Sequence, residues 1–158
     1  MPKTILVEVS PLPQHSKAGK KRLESLTAFS ALKGFSCRRS SPLFRLEGGL
    51  NRAEAEKVAV ELLCDPVIET FSIDAAPRDP EVFFADVWFK PGVTDTVGES
   101  VLKAVRDLKI GSIEKVFAGT RYEFYVRRGG KAGEQNVRDF AERELLNPLI
   151  QECKIQKL

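Results

Sequence analysis

Three cysteines, one histidine and one glycine-rich basic segment are the residues of this 158-residue chain whose types could carry chemistry. A cysteine nucleophile needs an activated thiolate, with histidine and a carboxylate within hydrogen-bond reach. Cys37 and Cys153 fall on expected strands, Cys64 falls near an expected helix end, and none sits in a Gly-x-Cys-x-Gly elbow. All three read as buried structural thiols. Their odd number, wide spacing and lack of a Cys-x-x-Cys pair argue against a disulfide framework and against a zinc site. His15 lies alone in an expected loop and reads as a surface residue rather than a base. Gly129-Gly130-Lys131-Ala132-Gly133 precedes an expected helix, whose N-terminus could hold an anion, but it lacks the phosphate-loop pattern. Gly48-Gly49 stand in the corresponding place without the lysine, so a tight strand-to-helix connection accounts for both. The inventory therefore predicts no catalytic residue, no metal site and no cofactor.

Charge excludes further classes. The 25 Lys+Arg against 22 Asp+Glu give a net charge of +3, too even for a strongly charge-driven partner. Basic clusters do occur, at Lys17, Lys20, Lys21 and Arg22, at Arg38-Arg39, and at Arg127, Arg128 and Lys131. RNA-binding modules stack bases on aromatics of central strands within a glycine-aromatic signature. Gly119-Thr120-Arg121-Tyr122-Glu123-Phe124-Tyr125 is only a loose echo of that signature, and Glu123 would set a negative charge among the bases. The clusters read as solvated faces or as a docking surface for an acidic partner. No apolar run reaches the roughly 18 residues of a membrane span, and residues 1–9 have a strand-like pattern without a cleavage site, which predicts a cytosolic protein.

The elements that would position these residues come from a repeat. Leu63-Cys64-Asp65-Pro66-Val67-Ile68-Glu69 and Leu145-Leu146-Asn147-Pro148-Leu149-Ile150-Gln151 align without a gap at an offset of 82. In each, an amphipathic helix runs into Asp/Asn-Pro, where proline disfavours helical geometry in the preceding residue. Ile5, Val7 and Val9 align with Ala85, Val87 and Phe89, and Phe44 and Leu46 align with Phe124 and Val126. The expectation is a tandem duplication, with copies at 1–75 and 81–158 and a Pro-containing linker at 76–80. The first copy reads as strand 3–10, helix 17–32, strands 34–39 and 42–48, helix 51–64 and strand 68–74. In the second, a strand at 82–90 leads to a helix that Asp95 or Thr96 caps and Gly111 ends, with Val97, Val101, Leu102, Val105 and Leu108 as its apolar stripe. Strands at 112–118 and 120–128, turning tightly at Gly119-Thr120, precede a last helix and a strand at about 150–157. This βαββαβ order predicts an α+β fold of two ferredoxin-like units with antiparallel sheets, packed as an internal pseudo-dimer. Val82, Phe84 and Trp88 share the second face of the strand at 82–90, and a solvent-facing strand would not hold two large aromatics, so that face must also be covered.

In the second copy, Lys90-Pro91-Gly92-Val93-Thr94-Asp95-Thr96-Val97-Gly98, then Val116-Phe117-Ala118-Gly119-Thr120-Arg121-Tyr122 and Leu146-Asn147-Pro148-Leu149-Ile150 together resemble the small PurS subunit of phosphoribosylformylglycinamidine synthase. The first copy is a degenerate version, with Pro11-Leu12-Pro13-Gln14-His15 in place of the first motif. In that family the small subunit is a homo-oligomer, and the large single-chain enzyme carries two such modules in tandem at its N-terminus. The resemblance implies a non-catalytic role in purine biosynthesis, bridging a PurL-type ATP-dependent synthetase and a PurQ-type glutaminase and supporting ammonia transfer between them. Fusion of two pairing halves raises their effective concentration to about millimolar. Matching residues at element ends, Lys90, Pro91, Gly92, Asp95 and Gly98, then Gly119, Arg121, Asn147 and Pro148, are the expected partner surface. Each also has a local reading, as a turn, a helix cap, a close approach or a helix stop. A ligand-binding regulatory module and, more remotely, an RNA-binding module are the alternatives on the same fold.

Overall fold

The computed structural model describes residues 2–13, 35–126 and 133–158. The expected helix at 17–32, His15 and the segment 127–132 lie outside the described residues. Strand β1 (Lys3–Pro11) and strand β2 (Phe35–Gly48) are followed by helix α1 (Arg52–Val58), strand β3 (Glu69–Ile73) and strand β4 (Val82–Phe89). Helix α2 (Thr96–Asp107), strand β5 (Ile113–Val126), helix α3 (Glu134–Phe140) and strand β6 (Gln151–Lys157) complete them.

Two expected hairpins are absent. Residues 35–48 and 113–126 are each one strand of 14 residues, rather than pairs turning near 40 and at Gly119-Thr120. A two-residue hairpin needs left-handed backbone at its centre. Among the described residues the positive φ angles fall at Gly48, Asp74, Gly92 and Lys109, and none falls near either expected turn. The chain therefore continues extended, and its described residues gather into two compact units that cut it differently from the sequence copies expected at 1–75 and 81–158. Unit 1 holds 2–13, 42–75 and 94–119; unit 2 holds 35–41, 76–93, 120–126 and 133–158. Each unit thus takes one stretch from the opposite sequence half.

Unit 1 has the strand order β3-β1-β2-β5, using the C-terminal half of β2 and the N-terminal half of β5. β1 is antiparallel to both neighbours, with Val7 opposite Phe44 on one side and Ile73 on the other. Unit 2 has the order β6-β4-β5-β2 with the remaining halves, and Val87 of β4 lies opposite Cys153 of β6. Both orders match that of a ferredoxin-like βαββαβ unit, last-first-third-second, when the strand contributed by the opposite sequence half is read in second place: β1, β5, β2, β3 in unit 1 and β4, β2, β5, β6 in unit 2.

The core of unit 1 forms because alternate β1 residues, Ile5, Val7 and Val9, meet helical stripes. Ala55, Val58 and Ala59 come from the first helix, Val105 comes from α2, and Leu46, Ile113 and Val116 fill the sheet side. Val97, expected in the α2 stripe, is 54% exposed in the first turn, beyond the packed part of that face. In unit 2, Val137, Phe140 and Ala141 of the last helix cover Phe83, Ala85, Phe124 and Val126, and the Phe124 and Phe140 rings meet edge to face at 5.8 Å. The other sheet faces are covered too: Glu8 and Leu43 in unit 1, and Phe84, Asp86 and Trp88 in unit 2, are at most 5% exposed.

Two helix ends 82 residues apart share their hydrogen bonds. α1 and α3 each end in a five-residue wider turn, 59–63 and 141–145. One is closed by Cys64 N–H to the Ala59 carbonyl at 2.9 Å, the other by Leu146 N–H to the Ala141 carbonyl at 3.1 Å. Gly48 carries the sharpest steric demand, since φ is +146° and a Cβ there would lie 2.1 Å from the Ser112 carbonyl oxygen. Trp88 is 3% exposed, so Trp88→Ala is expected to lower the unfolding free energy by about 3 kcal/mol, as core large-to-small changes do. A denaturant midpoint that stays in place would contradict this burial.

Candidate functional site

The nine residues expected at a partner surface fall into three places. Lys90, Pro91, Gly92, Asn147 and Pro148 meet at one end of the β4–β6 pair in unit 2. Lys90-Pro91-Gly92-Val93 is a tight turn, closed by Val93 N–H to the Lys90 carbonyl at 3.1 Å, with proline second and Gly92 third at φ +88°. The Lys90 Nζ donates to the Pro148 carbonyl at 2.6 Å, and its backbone N–H donates to the Ile150 carbonyl at 2.8 Å. Asn147 ends the helix segment as the Asn-Pro pattern predicts, and its Oδ1 accepts from Leu149 N–H at 3.1 Å. Pro91, Gly92, Asn147 and Pro148 are exposed, and Leu149 beside them is 84% exposed.

Asp95, Gly98 and Gly119 belong to unit 1, where Asp95 and Gly98 do structural work. Asp95 is the N-cap of α2: its Oδ1 accepts from Gly98 N–H at 2.8 Å, and its Oδ2 accepts from Ala118 N–H of β5 at 2.8 Å. One carboxylate thus caps the helix and ties it to the sheet. Gly98 is needed for that approach, because a Cβ would lie 2.5 Å from the Val116 carbonyl oxygen. Gly119 lies in the middle of β5, half-buried. The helix closes at Leu108 with Lys109 at φ +60°, two residues before Gly111, the expected stop.

Arg121, expected on the surface, is 1% exposed. Its Nε and Nη2 grip Asp86 Oδ1 and Oδ2 at 2.7 and 2.8 Å, and its guanidinium lies 4.5 Å from the centre of the Phe84 ring. Gln156 donates a further hydrogen bond to Asp86 Oδ2 at 2.8 Å. Sequence reasoning missed Asp86. The signal was an acid within the alternation Val82, Phe84, Trp88, which burial obliges to find a partner.

The thiols are held protonated. Burial pushes Cys37 up to about 12, opposed by a backbone hydrogen bond at Arg39, and pushes Cys153 up to about 11, opposed by Arg138. Cys64 is also raised, chiefly by desolvation and then by Glu69 and Asp65. No group of three or more His, Cys, Asp or Glu that could hold a metal ion occurs among the described residues. No helix among them is long and apolar enough to cross a membrane.

Two outcomes follow from these buried groups. Asp86→Ala strands the Arg121 charge and is expected to cost about 3–5 kcal/mol, whereas the paired change Asp86→Leu with Arg121→Met recovers most of it; a single variant within about 1 kcal/mol of the parent in denaturant unfolding would contradict the burial. Cys37 and Cys153 keep their protons in the folded state where the unfolded chain has lost them, so stability falls as pH rises above about 9 toward 11–12. Urea unfolding at pH 8 and 10 should show that loss, and Cys37→Ala with Cys153→Ala should flatten it. An equal slope in the double variant would contradict the assignment.

The family model of PurS, phosphoribosylformylglycinamidine (FGAM) synthase, matches residues 84–158. Among curated proteins nothing matches this chain. The match starts within β4 and takes in α2, β5, α3 and β6, together with all nine expected site residues. Residues 84–158 are thus a PurS-type domain.

Proposed function

We propose that this chain is a cytoplasmic, non-catalytic accessory component of phosphoribosylformylglycinamidine synthase, joining the synthetase to the glutaminase and helping to enclose ammonia on its way between them. The observation that carries this reading is the PurS match over 84–158. The residue chemistry supports it: two of the three thiols are buried and kept protonated, the opposite of what a glutaminase nucleophile needs. The first half is read as a diverged second PurS-like copy, supported by the helix-ending turns that recur 82 residues apart.

The contact surface is proposed at Lys90, Pro91, Gly92, Asn147 and Pro148, four of them exposed and the fifth bonded to the same corner. Asp95, Gly98 and Arg121 serve that surface only by holding the fold. Glutamine-dependent amidine formation by the matching synthetase and glutaminase, with and without this chain at equal molarity, tests the reading. The expected result is a rate that depends on the chain, with ammonia-dependent synthesis much less affected. Equal rates with no co-elution of the chain with either component would overturn it.

A further inference from the structure

The two helix-to-strand turns are built by the same bonds but differ in charge. Asp65 Oδ1 accepts from Val67 N–H at 3.0 Å, and Asn147 Oδ1 accepts from Leu149 N–H at 3.1 Å. Glu69 Oε1 accepts from Asp65 N–H at 3.0 Å, and Gln151 Oε1 accepts from Asn147 N–H at 2.8 Å. Backbone bonds repeat as well, with Glu69 N–H to the Asp65 carbonyl at 2.7 Å and Gln151 N–H to the Asn147 carbonyl at 2.8 Å. The unit 2 amides show that this turn closes without negative charge, so the unit 1 carboxylates are not required by the local fold.

Both turns present apolar residues outward. Val67 and Ile68 are 74% and 42% exposed, and Leu149 and Ile150 are 84% and 38% exposed. The unit 1 turn is an apolar knob between two carboxylates; its counterpart stands between neutral amides, with the Lys90 ammonium bonded at Pro148. A second copy seated knob to knob in unit 1 would gather four carboxylates around an apolar contact, and nucleic acid or an anionic membrane would be repelled likewise. A protein pocket with an apolar floor and a Lys/Arg rim satisfies both features. We propose that residues 65–69 dock into such a pocket, and that the charge difference lets the two turns address different protein neighbours. This rests on the accessory role argued above and places the basic rim on either the synthetase or the glutaminase.

Binding of the whole chain to each component, measured across 50–500 mM salt, tests it. Asp65→Asn with Glu69→Gln is expected to weaken binding to one component about tenfold at low salt, to flatten its salt dependence and to leave the other component's affinity unchanged. Its thermal midpoint should hold, since the same amides close the unit 2 turn. Val67→Ser should weaken binding to that same component. If the parent chain binds but both variants match it at every salt concentration, this docking proposal is overturned and the accessory role stands. If the parent binds neither component, the accessory role falls and the proposal falls with it.

Discussion

Where a ferredoxin-like chain would turn back, residues 35–48 and 113–126 run on as single strands, and the rest of the architecture depends on that continuation. A hairpin at Ser40-Ser41 or Gly119-Thr120 would have let each sequence half complete its own sheet. Without left-handed backbone at those positions, the N-terminal half of each long strand belongs to the other half's unit. Unit 1 accordingly takes α2 and the start of β5, and its core needs Val105, Ile113 and Val116 from that stretch. Unit 2 takes residues 35–41, and Cys37 fills its core.

This arrangement explains which matched residues keep structural work. Asp95 and Gly98 join α2 to β5 within unit 1, so they secure a stretch contributed by the opposite sequence half. Arg121 and Asp86 hold the centre of the second sheet face in unit 2, where an unpaired charge would be costly. What remains at the surface is the turn chemistry at the strand ends: Pro91 and Gly92 on one side, Asn147 and Pro148 on the other. For the bridging role proposed above, shaped and distinguishable surfaces matter more than reactive groups, and the two equivalent turns differ in charge while sharing their bonds.

The sequence carried element types and punctuation well. Alternation at Ile5, Val7 and Val9, the stop at Asn147-Pro148 and the cap at Asp95 each have a local physical cause, and each was legible. The two aromatics on the second face of β4 mark its burial in the sequence itself. Connectivity was not legible, because two strands joined by Gly119-Thr120 and one strand passing through it share the same alternation and differ only in backbone angles. The role of Arg121 was misread for a related reason: its partner Asp86 is 35 residues away, and no local pattern marks a pair made across a sheet.

Neither sequence half is expected to be a complete folding unit. The most direct measurement is the state of residues 81–158 produced alone and together with residues 1–75, followed by sedimentation and denaturant unfolding. Unit 2 would then lack 35–41, and the stretch 94–119 would lack its place in unit 1. Residues 81–158 alone are expected to give no stable monomer, and adding 1–75 is expected to restore one cooperative transition at the stability of the intact chain. A monomeric 81–158 that unfolds cooperatively at that same stability would contradict it.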